Sequence, residues 1–207
     1  MAGTPKHMVR PRRPARGVYC IEVEWNGGAV HSQTVRPALE LLNEWAEHGV
    51  PFIHRIISTR AEFDHHLRRW TQAGLGRYPI LYLAVHGRPG WVDIGDWRRK
   101  DCEIRLEDVA TQLAGACAGK LIHFGSCDTV RVAPAELRRF LRKTGAIAAS
   151  GYLGSVDWLE SAVGDVLALA AMQEHSLTPR GARAMRARML QRDGLSRALK
   201  FRMVVNT

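Results

Sequence analysis

The 207 residues are 46% hydrophobic and 24% charged, which is enough apolar material for one α/β domain and too ordinary a balance for a fibrous or disordered chain. No apolar run reaches the roughly 20 residues that span a bilayer, and the basic N-terminus lacks the apolar centre of a secretory signal, so no membrane insertion is expected. The formal charge of +10 gathers in residues 1–17 and between Arg180 and Arg202; this could attract an anionic partner, nucleic acid or an acidic protein face, but a solvated basic helix face is the preferred reading, since few aromatic residues are interleaved there to stack on bases.

Residues 1–17, rich in Pro, Gly and Arg, are expected to be a disordered basic arm, and residues 18–207 a single domain. Val18 to Trp25 alternates apolar and polar residues and reads as a strand, followed by a turn at Asn26-Gly27-Gly28. Val35, Leu39, Leu42 and Trp45 recur at helical spacing up to Gly49. Phe52 to Ile57 is a second strand. Ser58 or Thr59 caps a helix containing Phe63, Leu67 and Trp70. The third strand, Ile80 to Val85, runs into His86-Gly87. Gly90 to Gly95 suggests a small hairpin.

A helix is predicted from Leu106 to Cys117, a strand from Lys120 to Ser126, and a helix from Pro134 to Lys143. Ala146 to Ser150 is a strand of small residues. Asp157 opens a helix to about Glu174, and Thr178-Pro179 opens another to about Arg192. Phe201 to Val205 is a final strand. This alternation predicts a three-layer α/β fold, with a mostly parallel sheet of about six strands and helices on both faces.

The runs Ile80 to Val85 and Leu121 to Ser126 lack alternation and read as strands buried on both faces. A helix joins them, so they should lie parallel and adjacent and end at one edge of the sheet. That edge is where open α/β sheets place their sites. His86-Gly87 closes the first run and Cys127 the second. An imidazole, a thiol and a glycine meeting there supply a cysteine nucleophile, its base and oxyanion donors. Alone, His86 reads better as a strand-end residue and Cys127 as a buried thiol; their joint placement favours catalysis. Cys127 is also expected to stand just before a helix whose N-terminus favours thiolate.

The other cysteines, Cys20, Cys102 and Cys117, follow no disulfide or zinc spacing, and Cys20 and Cys117 read as small buried residues. A reducing cytoplasm is the expected setting. His54, His65, His66 and His123 form no ligand-spaced set, so neither a metal nor another cofactor is expected.

The segments Leu83-Ala84-Val85-His86-Gly87 and His123-Phe124-Gly125-Ser126-Cys127, with the order of elements, resemble the caspase-like superfamily of cysteine peptidases, nearest in style to bacterial CHAT-type members. The resemblance spans roughly Val18 to Val205. It implies a regulated endopeptidase with a protein or peptide substrate, activated by a partner protein, a ligand or self-cleavage. Cys127 would be the nucleophile, His86 the proton carrier, and the amides of Gly87 and Cys127 the oxyanion hole. Asp157, in the loop after the fifth strand, is the first candidate for an S1 pocket that selects a basic P1 residue; Asp128 and Asp93 are alternatives. Asp157 is equally suited to capping the next helix. Arg98-Arg99-Lys100 is a candidate self-cleavage site. The metacaspase acid two residues before the Cys is absent, since Gly125 stands there. The rival readings are a silent scaffold of the same fold and a nucleic-acid-binding protein acting through its basic termini.

Overall fold

The computed structural model describes residues 16–25, 33–44, 49–95, 100–155, 157–191 and 193–207. The turn at Asn26-Gly27-Gly28, Trp45, Arg98-Arg99, Arg192 and the arm up to residue 15 lie outside them. Six strands form the main sheet: β1 (Val18–Val23), β2 (Phe52–Ile57), β3 (Ile80–Ala84), β7 (Leu121–Phe124), β8 (Ala148–Tyr152) and β9 (Phe201–Val205). Their order is β2-β1-β3-β7-β8-β9. All neighbours pair in parallel except β8 and β9, which are antiparallel. Three short strands, β4 (His86–Arg88), β5 (Trp91–Asp93) and β6 (Glu103–Arg105), make a separate antiparallel sheet.

Alternate residues of each strand point to opposite faces, so a sheet covered on both sides needs apolar residues in both registers. In β3, Leu81 and Leu83 enter one core with α2 (Arg60–Trp70), α3 (Leu106–Gln112) and α4 (Pro134–Thr144). Ile80, Tyr82 and Ala84 enter the other, with α1 (Arg36–Glu44), α5 (Trp158–Glu174) and α6 (Pro179–Gln191). The expected three-layer α/β fold is therefore what forms. A short helix, α7 (Asp193–Ala198), precedes β9. Among the described residues, no helix is long and apolar enough to cross a membrane.

Several local expectations change. Arg16 and Gly17, expected in the arm, belong to the fold: Arg16 Nη1 donates to the Met172 carbonyl at 2.7 Å, and Gly17 N to that of Arg77 at 2.8 Å. The helix expected to reach Cys117 stops at Gln112, and Gly115 then takes a left-handed turn at φ 69°. Cys127 does not precede a helix directly; a turn-rich segment runs from it to Pro134, where α4 begins. β1 is buried along its whole length, and its apparent alternation hides a buried carboxylate, Glu22.

α5 begins where Asp157 caps it. The Asp157 carboxylate accepts from the amides of Leu159 at 2.9 Å and Glu160 at 3.4 Å. Asp157→Ala is expected to cost about 1 kcal/mol in denaturant unfolding, the usual worth of an N-cap, with no change in any substrate preference.

Candidate active site

β1, β3, β7 and β8 run parallel, so their carboxyl ends share one edge in the order Trp25, His86, Cys127 and Asp157. Leu83 pairs with Phe124, which brings His86 and Cys127 to the same height past the ends of their strands. Cys127 is half-buried, whereas Cys20, Cys102 and Cys117 are buried. Burial raises the Cys117 thiol to about 12 and pushes that of Cys20 well above the ordinary range, so both are poor nucleophiles.

The His86-Gly87 segment lies directly against the Cys127 segment. A Cβ on Gly87 would sit 2.7 Å from the Cys127 carbonyl oxygen and 3.0 Å from Ser126 Cβ, and would collide with Thr129 Oγ1. Only glycine lets the two backbones approach this closely. Further bonds fasten the small sheet to the same segment. Thr129 Oγ1 donates to the Trp91 carbonyl at 2.8 Å, Gly90 N to the Thr129 carbonyl at 3.1 Å, and Ser126 Oγ to Thr129 Oγ1 at 2.7 Å. From the other side, Arg202 Nη1 donates to the carbonyls of Val130 and Val132, both at 2.8 Å. Arg202 thus braces the loop after Cys127 and does not extend the basic surface.

His86 is exposed over the residue as a whole, yet desolvation of its ring lowers its pKa below the ordinary histidine value. Asp93, its cross-strand partner on β5, opposes that shift. The Trp25 ring meets the imidazole edge-on, 4.7 Å between centroids at 79°. Contacts of this kind typically add about 0.5–1.5 kcal/mol beyond their burial.

The three S1 candidates separate. Asp157 is exposed and engaged as a helix cap. Asp93 and Asp128 each bury one carboxylate oxygen, Oδ1, that has no hydrogen-bond partner. Arg88 Nε is 3.8 Å from Asp93 Oδ1, and Arg131 Nε forms an ion pair with Asp128 Oδ1 at 2.9 Å outside hydrogen-bond alignment. Burial raises the Asp93 carboxyl. Asp128 takes φ 56°, a left-handed conformation that Asp tolerates better than most residues, immediately after Cys127. Asp93 stands with His86, and Asp128 with Cys127.

A second polar cluster lies in the core beneath this edge. His123 Nε2 meets Asp165 Oδ1 at 2.7 Å and His123 Nδ1 meets Ser150 Oγ at 2.9 Å. The hydroxyls of Tyr82 and Tyr152 donate to Asp165 at 2.5 and 2.6 Å. The Ser-His-Asp connectivity resembles a nucleophilic triad, but Ser150 and His123 are 0% exposed, so no substrate reaches it and its role is structural. Among the described residues, no group of three or more His, Cys, Asp or Glu side chains is arranged to hold a metal.

Sequence reasoning did not single out Glu22, Trp25 or Thr129, and read Arg202 only as part of the basic segment. The available signal was a carboxylate, Glu22, between two apolar residues, Ile21 and Val23; the other three acquire their roles only through tertiary contact.

Fold and edge together define a three-layer α/β protein that carries a half-buried thiol and an imidazole at the carboxyl ends of adjacent parallel strands. The chain belongs to DUF6642, a family of unknown function, whose profile matches residues 15–203. No curated protein matches it.

Proposed function

We propose that this chain is a caspase-like cysteine endopeptidase of the CHAT type. The observation that carries the reading is the close apposition of Gly87 to the Cys127 carbonyl, which brings the His-Gly and Cys segments together at one sheet edge. Cys127 Sγ attacks the scissile carbonyl, and the amides of Gly87 and Cys127 take the developing oxyanion. The C–N bond breaks, and His86 passes the thiol proton to the leaving amine. Water then attacks the Cys127 thioester, releasing the carboxylic acid and restoring the thiol. The chemistry requires a reducing compartment, for which the cytoplasm is the natural setting. An activating partner protein would place control over it.

The carboxylates of Asp128, next to Cys127, and Asp93, across from His86, are the candidates for a basic P1 residue, whose guanidinium or ammonium would compete with Arg131 and Arg88 for them. A fluorogenic peptide library varied at P1 tests this. Cleavage after Arg or Lys is expected, with the preference weakened on the order of 10-fold or more in Asp128→Asn or Asp93→Asn, as for loss of a charge-assisted bond. A preference left unchanged by both variants overturns the basic-pocket assignment. A scaffold of the same fold would instead keep its biological effect in Cys127→Ala.

A further inference from the structure

We infer that Trp25 is a positioning residue for His86, held in place by the buried carboxylate of Glu22. The inference rests on the peptidase reading, since a positioned imidazole matters only if His86 moves a proton.

β3 lies between β1 and β7. Trp25, beyond β1, therefore flanks His86 on the side opposite Cys127, and its ring touches the imidazole edge-on. Trp25 is itself fixed: its Nε1 donates to Glu22 Oε1 at 2.6 Å. The same carboxylate accepts from the Val35 amide at 2.8 Å and from Thr34 Oγ1 at 2.7 Å, and meets His54 Nε2 at 2.5 Å. Glu22 is 1% exposed. A carboxylate buried to that extent is costly unless fully bonded, and here both ends of the β1–α1 connection share it. One buried group thus ties down the segment that presents Trp25.

A histidine ring turns broadly about its outer torsion. An aromatic edge on one side narrows that range and leaves the other side for Cys127. Asp93 faces the imidazole from β5, and the Cys127 segment approaches from beyond β7. Trp25 contacts the imidazole from the side away from Cys127 and acts through His86.

The test combines cleavage kinetics with the NMR titration of His86, assigned by its loss in His86→Ala. Trp25→Ala is expected to lower kcat on the order of 10- to 100-fold with KM nearly unchanged, the cost of a misplaced catalytic group. The His86 titration should move up toward the ordinary histidine value as the ring is uncovered. Trp25→Phe keeps the aromatic wall but loses the bond to Glu22, and should show a smaller loss of the same kind. An unmoved titration and kcat in Trp25→Ala overturns the inference. If that variant does not fold, the same result in both Trp25→Phe and Glu22→Gln overturns it. A wild type that cleaves no peptide overturns the peptidase reading instead, while the titration still reports whether Trp25 governs His86.

Discussion

Gly87→Ala is expected to remove peptide cleavage almost entirely while leaving a folded but less stable protein. The added methyl meets the Cys127 carbonyl, Ser126 Cβ and Thr129 Oγ1 at once. Two of these belong to backbone or to a short side chain bonded on both sides, because Thr129 Oγ1 accepts from Ser126 and donates to Trp91. Little can yield without moving the nucleophile segment. Overpacking at such a site costs about 1–3 kcal/mol. The displacement also separates the Gly87 and Cys127 amides, and loss of one oxyanion donor costs on the order of 10²–10³ in rate. Thermal unfolding and cleavage rates measured side by side check this. A variant with wild-type rate would show that the close approach serves packing alone.

Asp165→Ala should have the largest effect on stability. Asp165 is 3% exposed, and its two oxygens accept from Tyr82 and Tyr152 and pair with His123. Its removal leaves three buried polar groups facing a cavity. Leaving a buried polar group without its partner costs about 1–3 kcal/mol for each group. For a chain of this size, that corresponds to a fall in Tm on the order of 10 °C by circular dichroism. Ser150→Ala removes one neutral bond and should cost about 1 kcal/mol. Equal losses in the two variants would contradict the central place given to Asp165. The cluster also touches the site: a Cβ on Gly125 would collide with the Tyr82 ring and lie 2.8 Å from Asp165 Oδ2. The chain enters the Cys127 segment by passing over this polar core.

Most of the architecture could be read from apolar periodicity. The runs in β2 and β3 and the helices opened by Thr59, Pro134, Asp157 and Pro179 fall within a residue or two of their predicted places. These segments carry strong local signals, a cap or an unbroken apolar run, that tertiary packing reinforces. The errors lie where long-range contacts decide. The apolar/polar alternation read in β1 does not mark a half-exposed strand, because helices cover both faces and the Glu22 carboxylate is satisfied internally. The chain after Cys127 does not coil at once, because Arg202, from the last strand, holds the carbonyls of Val130 and Val132. A single hairpin was expected after His86, but Glu103 to Arg105 adds a third strand across a connection too charged to show a pattern. The positions of His86 and Cys127 were legible because strand ends follow from topology. The covering of His86 by Trp25 was not, because nothing local joins two residues so far apart in the chain.

The central claim is that Cys127 and His86 act together on a peptide bond. The most direct test is the initial rate of cleavage of a peptide library by wild type, Cys127→Ala and His86→Ala, with each variant shown to be folded by circular dichroism. The account predicts cleavage by wild type that both substitutions abolish. Cleavage that persists in Cys127→Ala, or a wild type that cleaves no member of the library, would contradict it.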